Sequence, residues 1–196
     1  NLVWVGDYHA LTKSQLYAAE LLTRIARQKD RVALAVEPIF ARNQEVLDLW
    51  MAEKISEEEF LARVRYQDEW GCDWTGYKAL FETARELRVP VYGVDCHPRN
   101  DMRSIGRRDL SIARQIARLM QKDPNQTLMI VFGESHLASN HLPGRVRDIL
   151  DRKKIASRHV VVLQNIDPLY WALQETGHGE AQAVLVREAV YCVFNA

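Results

Sequence analysis

Short apolar runs alternate with amphipathic helical patterns along most of this chain. Helical patterns lie at residues 14–29, 76–88, 103–122 and 143–154. Strands that alternate with helices favour right-handed crossovers and a parallel sheet. The sequence therefore predicts an α/β fold with a mostly parallel sheet flanked by helices. Five runs have the length and composition of strands buried on both faces: residues 2–5, 31–36, 89–95, 127–132 and 159–165.

One segment interrupts this alternation between the second and third predicted strands. Residues 43–54 and 56–67 have the pattern of two short helices, and Ser56 with Glu59 forms a capping box at the start of the second. The sequence thus predicts a small helical insertion at residues 41–75. The α/β domain then comprises the two remaining stretches: residues 1–40 and 76–196. We interpret the aromatic residues in and beside the insertion as its own small core, which could also cover a neighbouring cleft: Trp50, Tyr66, Trp70, Trp74 and Tyr77.

The charge of the chain is balanced. It contains 196 residues with 26 Lys plus Arg and 26 Asp plus Glu, so its formal net charge at pH 7 is zero. This balance gives nucleic acid no general electrostatic attraction, and we expect no nucleic-acid partner. The densest basic stretch, residues 103–122, has apolar residues at helical spacing. We interpret its charges as the solvated face of an amphipathic helix.

Cysteine content and hydropathy argue against a disulfide framework, a zinc ribbon and a membrane span. Cys72, Cys96 and Cys192 lie far apart without a CxxC motif, which indicates neither a disulfide framework nor a zinc ribbon. No apolar run approaches the ~18 residues of a membrane span, so we expect none in this chain. The chain opens inside an apolar strand. We therefore expect either a cytoplasmic location or, if an N-terminal signal precedes this strand, the cell envelope or periplasm.

Polar side chains follow each predicted strand. Because the carboxyl ends of parallel strands meet at one edge of a sheet, and ligands bind there, these residues are expected to share a site. The tail at residues 181–195 can supply one or two further strands, with an antiparallel edge among the options. In chain order, the strand-end residues are Asp7, Tyr8, His9, Glu37, Asp95, His97, Arg99, Glu134, His136, Asn165 and Asp167.

Two of these strand ends have the same Gly-x-x-His spacing, at residues 6–9 and 133–136. Glycine at the start of each motif allows a tight turn that directs the following side chains over the strand ends. Glu37 precedes a proline, which favours an extended backbone and places its carboxylate at the end of the second strand. His141 lies five residues after His136 and is a secondary candidate; His159 and His178 are expected to be structural.

Two imidazoles and a carboxylate support two kinds of chemistry. His9, Glu37 and His136 could ligate a divalent ion such as Mn, Zn, Co or Fe and leave a coordination position open. Such an ion lowers the pKa of bound water toward ~7. Without a metal, the three residues could serve as general base, general acid and orienting carboxylate. In either case Arg99 is the candidate donor for developing negative charge, with Glu134 in support.

The order of these motifs resembles the ChaN-like family, which is described as haem-binding uptake proteins of the Tiki superfamily. The resemblance rests on the first Gly-x-x-His, Glu37-Pro38, Gln44 with Leu47-Asp48 and Trp50, Trp70 with Trp74 and Tyr77, Pro98-Arg99 and the second Gly-x-x-His. It runs from about residue 1 to about residue 150. It also implies kinship with TraB-type proteins and with erythromycin esterases.

The resemblance implies an α/β sheet with a helical subdomain and offers two functions. In the Tiki branch, paired Gly-x-x-His motifs and a glutamate are associated with a divalent metal and hydrolysis. The matching residues here are His9, His136 and Glu37, with Arg99 as the matching arginine, which implies a metal-dependent hydrolase with a small-molecule or peptide substrate. In the ChaN branch, similar proteins are lipoproteins that bind haem as dimers. That branch implies an iron-uptake protein and a homodimer, with Tyr8, His97 and His141 as candidate haem-binding residues. ChaN proteins usually have Gly-Glu-x-His first, where this chain has Asp7.

Overall fold

A computed structural model describes residues 1–97 and 105–195 of the chain. Arg99, predicted as a catalytic donor, lies outside the described residues. No helix among the described residues is long and apolar enough to cross a membrane.

Among the described residues, seven strands form one sheet in the order β3-β2-β4-β1-β5-β7-β6. All neighbouring pairs are parallel except β6 with β7, which is antiparallel. The prediction of a mostly parallel α/β sheet is confirmed, and the tail supplies two strands that include an antiparallel edge. The strands are β1 (Leu2–Asp7), β2 (Val32–Phe40), β3 (Val91–Asp95), β4 (Thr127–Gly133), β5 (His159–Gln164), β6 (Ala183–Arg187) and β7 (Val190–Val193).

Helices cover both faces of the sheet. Helix α1 packs beside α5, and α6 packs beside α7. Helix α8 was not predicted, although Pro168 in its first turn is a typical start signal. The helices are α1 (Thr12–Ala26), α2 (Gln44–Met51), α3 (Glu57–Val64), α4 (Tyr66–Glu69), α5 (Trp74–Glu86), α6 (Ile105–Lys122), α7 (Leu142–Arg152) and α8 (Asp167–Glu175).

The continuous apolar runs of the central strands follow from this double cover. Within β1, Trp4 belongs to the core cluster shared with α6 and α7, whereas Val5 belongs to the cluster shared with α1 and α5. Successive strand residues point to opposite faces, so a strand covered on both sides needs apolar residues at every position. Both residues are fully buried. The two-sided core therefore leaves the strand ends as the place for polar chemistry.

Helices α2 to α4 occupy the segment predicted as an insertion, and the Ser56 hydroxyl caps α3 by accepting from the Glu59 backbone N–H at 3.1 Å. The Trp50 and Phe60 rings stack with centroids 4.5 Å apart, and Trp74 packs against both. These rings join the same core cluster as α1 and α5. The division into two domains stays a prediction.

Strand β2 continues past the predicted end of the second strand at Glu37 and reaches Phe40. The prediction that the strand ends at Glu37-Pro38 is therefore wrong. Its pairing with β3 shifts register between Val36 and Phe40. Pro38 lies inside this shift, where the ladder is already interrupted and a missing backbone N–H costs little.

His159 is buried at the start of β5 and provides a pH-dependent contribution to stability. The Trp4 indole N–H donates to its Nδ1 at 3.2 Å. Burial, reinforced by the charge of Arg147, lowers the pKa of His159 to about 4. In the unfolded chain the imidazole titrates near ~6.5, so the unfolded state binds more protons between these two values. This contribution is complete above the unfolded pKa and is lost as the pH falls toward 4.

We expect His159→Gln to flatten the acid side of the stability profile. In the wild type, the free energy of unfolding should fall by about 2 kcal/mol from pH 7 to pH 4.5 because of this group. Glutamine keeps an acceptor for Trp4 but does not titrate. Urea unfolding at a series of pH values measures the slope, with His178→Gln at an exposed position as the control. An unchanged slope in His159→Gln would contradict this assignment.

Candidate functional site

The three central candidates lie together at the carboxyl edge of the sheet. Strand β4 pairs with β1 on one side and with β2 on the other, so the residues that follow β1 and β4 meet the carboxylate carried by β2. His9 Nε2 lies 3.7 Å from Glu37 Oε2, and His136 Nε2 lies 3.7 Å from Glu37 Oε1. The structure thus brings His9, Glu37 and His136 to one point.

The imidazole of His9 is held from behind by Asp7. Its Nδ1 lies 2.8 Å from Asp7 Oδ2, and the Tyr77 hydroxyl donates to the same oxygen at 2.5 Å. Gln15 donates to the other oxygen, Oδ1, at 2.5 Å. A carboxylate only accepts hydrogen bonds, so it places the proton of the neutral imidazole on Nδ1. Nε2 of His9 therefore carries the lone pair and faces Glu37.

This environment changes how readily His9 binds a proton. Burial opposes the charged imidazolium, but the hydrogen bond to Asp7 and the negative charges of Glu37 and Asp7 outweigh burial and raise the pKa of His9 above its usual value. Burial and the nearby Asp7 charge also raise the pKa of Tyr77, so its hydroxyl stays protonated and remains a donor. About a third of the His9 side chain is exposed, at 32%.

The second imidazole has the same kind of support from another element. His136 Nδ1 lies 2.5 Å from Asp109 Oδ1, and His141 Nδ1 lies 2.6 Å from Asp109 Oδ2. Asp109, in the first part of α6, is fully buried, and His136 is buried as well. His141 is partly exposed and is joined to His136 through this shared carboxylate.

A buried guanidinium joins the two halves of the site. Arg108 makes two hydrogen bonds of 2.8 Å to Asp95 and donates from Nη2 to Glu37 Oε1 at 2.5 Å. Its Nη1 lies 3.2 Å from His136 Nε2, while the backbone N–H of Gly133 donates to Glu37 Oε2 at 2.7 Å. Burial opposes its charge, but Asp95 and Glu37 outweigh burial and raise the pKa of Arg108.

Sequence reasoning missed Arg108 and Asp109. Both lie in the basic stretch interpreted as a solvated helix face, and that interpretation is wrong for these two residues, which are buried. It holds for Arg114 and Arg118, which are exposed. The available signal was an adjacent Arg-Asp pair at the start of the helix that follows the third strand.

The two motif glycines are needed for space, which differs from the expected reason. Neither Gly6 nor Gly133 has a positive φ. A Cβ on Gly133 would lie 2.9 Å from His9 Nε2, and a Cβ on Gly6 would lie 2.7 Å from Glu134 Cγ. Glycine therefore permits close approach of a functional side chain to the strand end.

The remaining candidates lie around this centre. The Glu134 carboxylate accepts from the backbone N–H of Gln164 at 3.1 Å, on the β5 side of the site. Tyr8 is 38% exposed. Its partial burial, together with the charge of the nearby Glu134, raises the pKa of its hydroxyl. His97 lies 3.2 Å from Glu69 and packs on Phe40, and no described contact joins it to the imidazoles.

The predicted insertion reaches the site through one ring. Trp70, which follows α4, stands edge-on to the His9 imidazole with ring centroids 4.5 Å apart. It also contacts Tyr77 at 5.9 Å. The stretch predicted to cover a neighbouring cleft thus contacts His9.

The arrangement does not fit a divalent metal held by His9, Glu37 and His136. Within residues 1–97 and 105–195, no group of three or more His, Cys, Asp and Glu side chains is arranged to hold an ion. Arg108 donates toward the His136 nitrogen and the Glu37 oxygen that would have to bind one. The metal predicted from the sequence remains without support from this geometry.

Comparison with known proteins identifies the family. The sequence model described as "Haem-binding uptake, Tiki superfamily, ChaN" matches residues 1–112, which is more than half of the chain. The chain belongs to this ChaN family. No curated protein sequence matches it.

Solved structures share the fold of this ChaN-family chain at low sequence identity. The structure titled "Cofacial heme binding to ChaN of Campylobacter jejuni" has a TM-score of 0.60 at 12% identity, covering 85% of this chain and 82% of that one. The type III effector HopBA1 has a TM-score of 0.63 at 13% identity, covering 100% and 87%. RRSP, a MARTX toxin effector domain from Vibrio vulnificus CMCP6, has a TM-score of 0.50 at 16% identity, covering 69% and 28%. At these identities the likeness concerns the fold alone.

We expect Asp7→Asn to lower the pKa of His9. The hydrogen bond and charge of Asp7 favour the imidazolium, and the amide removes the charge. Long-range ¹H–¹⁵N NMR titration of the histidine rings measures the pKa directly. Asp151→Asn, at an exposed position of α7, is the control and should leave the titration of His9 unchanged. A His9 pKa equal to that of the wild type in Asp7→Asn would show that Asp7 does not stabilise the charged ring.

Proposed function

We propose that this ChaN-family chain is a hydrolase in which His9 performs general acid–base catalysis, supported by the charges of Glu37 and Arg108. The observation that carries the proposal is a partly exposed imidazole, bound to Asp7 at Nδ1, whose Nε2 faces a buried glutamate. A carboxylate behind an imidazole is the arrangement that orients a general base. The predicted divalent metal takes no part in this proposal.

His9 is the group that moves the proton. Its Nε2 lone pair accepts a proton from a water molecule as that water attacks an ester or amide carbonyl. The carbon–oxygen or carbon–nitrogen bond of the substrate then breaks, and the imidazolium returns the proton to the leaving group. The raised pKa of His9 makes its imidazole a stronger base for the first step.

Glu37 and Arg108 set the charge around this imidazole. The Glu37 carboxylate favours the imidazolium that forms when His9 accepts the proton. The Arg108 guanidinium, fixed by Asp95, supplies positive charge for a developing oxyanion. His136 Nε2 accepts a hydrogen bond from Arg108, so His136 positions the guanidinium. This positioning role differs from the direct catalytic role predicted from the sequence.

The expected substrate is an ester or amide of a small molecule or peptide. Trp70 lies edge-on to His9 and offers an apolar surface beside the reacting group. An apolar wall next to a few polar groups is typical of small-molecule sites. The substrate of this chain is therefore expected to carry an apolar or aromatic group next to the scissile bond.

We expect His9→Gln and Glu37→Gln each to lower kcat/KM by roughly 100-fold or more, because the first removes the base and the second removes the charge that favours the imidazolium. The assay uses a panel of p-nitrophenyl esters and peptide p-nitroanilides. His178→Gln, at an exposed position, should keep wild-type activity. Full activity in His9→Gln, or a folded wild type that cleaves no member of the panel, would refute the hydrolase proposal.

Haem binding is a second candidate, favoured by the family to which the chain belongs. Tyr8 is exposed at the same sheet edge, and a tyrosine can ligate haem iron. Tyr8 would hold the haem in this candidate function, and bound haem would supply the redox-active iron. The raised pKa of Tyr8 favours the neutral phenol over the phenolate. If the phenolate is the form that ligates the iron, haem affinity should rise with pH.

We expect Tyr8→Phe to weaken haem binding by about tenfold or more, because it removes the ligand oxygen. Titration of the protein with haem, followed at the Soret band, measures this affinity. Tyr170→Phe is the matched control, because Tyr170 is exposed to a similar degree on α8. A wild-type chain that gives no Soret shift would exclude haem binding, whatever the result of the hydrolysis assay.

A further inference from the structure

The guanidinium of Arg108 occupies the position where the sequence predicted a divalent ion. Its Nη1 lies 3.2 Å from His136 Nε2, and its Nη2 lies 2.5 Å from Glu37 Oε1. A zinc-type ion would need the same nitrogen and oxygen at roughly 2.0–2.2 Å. A neutral imidazole has one lone pair at Nε2, and that lone pair receives the Arg108 N–H.

The groups around the guanidinium nevertheless have the form of a metal site. Both imidazoles direct Nε2 toward Glu37, and both bind a carboxylate through Nδ1, Asp7 for His9 and Asp109 for His136. Histidines that ligate metals in proteins are usually oriented by such a carboxylate at the other ring nitrogen. The supporting residues of a metal centre are therefore present, with an arginine where the ion would be.

Asp95 keeps Arg108 in this position. It accepts two hydrogen bonds of 2.8 Å from Nε and Nη2, which is the planar paired geometry that guanidinium forms with carboxylates. Lysine could not reproduce both bonds, because its charge is a single point. The cation of this site is thus covalently attached to α6 and cannot be lost to a chelator.

We propose that Arg108 is a built-in substitute for a divalent metal ion, and that it excludes such ions from the site. It follows that a neutral residue shorter than arginine at position 108 converts His9, Glu37 and His136 into a divalent-metal site. This inference concerns which cation the site holds. It is independent of whether the site hydrolyses a substrate, so the two proposals fail separately.

Titration with Co²⁺ tests the proposal on the full chain without a substrate. Visible d–d absorption reports coordination, and the Tm reports stabilisation of the folded state by a bound ion. We expect wild-type protein to bind no stoichiometric Co²⁺ and to keep its Tm. Arg108→Ala should bind one equivalent of Co²⁺. Its Tm with Co²⁺ should be about 4 °C or more above its Tm without the ion. Arg108→Ala combined with His136→Gln should lose the absorption bands.

Two further variants separate charge from position. Arg108→Gln is also neutral, keeps most of the volume, and should bind Co²⁺ if Arg108→Ala is too unstable to purify. Arg114→Ala, on the exposed side of α6, should behave like the wild type. One equivalent of Co²⁺ bound by the wild type and lost in His136→Gln would overturn the proposal. If folded Arg108→Ala or Arg108→Gln protein binds no Co²⁺, the claim that removing the guanidinium creates a divalent-metal site is wrong.

Discussion

The arrangement of the strand ends depends on one buried cation. The guanidinium of Arg108 ties α6 to β2 through Glu37 and to β3 through Asp95, and it contacts the imidazole that follows β4. Buried carboxylates are stable where a charged partner and hydrogen bonds replace the lost hydration. One side chain therefore fixes groups from three strands, and the chemistry of the site begins with that charge.

Around this cation the chain uses the same physical device twice. Each imidazole is held at Nδ1 by a buried carboxylate, but the carboxylates come from different places. Asp7 belongs to the strand that precedes His9, whereas Asp109 belongs to a helix far from His136 in sequence. The two rings differ in exposure: His9 is open to solvent and His136 is buried. The same support thus gives one ring suited to proton transfer and one suited to holding Arg108.

Sequence reasoning could locate the site because parallel strands deliver their ends to one edge. That rule was sufficient to group His9, Glu37 and His136, and the apolar runs were sufficient for the sheet. Arg108 escaped because an arginine in an amphipathic helix looks the same whether it faces water or a carboxylate. The role of Gly133 could not be predicted either, because the close approach of His9 to Gly133 is a tertiary contact. The local sequence pattern specifies the helices, the strands and the sheet edge at which the strands end. Which charged residues pair across long sequence distances is visible only in the folded chain.

The position of β4 between β1 and β2 has a consequence for how the molecule assembles. Strands β1 and β2 do not pair with each other. Each therefore has an unpaired edge until β4, at residues 127–133, is added between them. Such open edges are prone to wrong pairing while a chain is still being synthesised. Insertion of this late strand completes the ladder and brings the second imidazole to the first in the same step. A nascent or truncated chain without it has neither a finished sheet nor the pair of imidazoles at its edge.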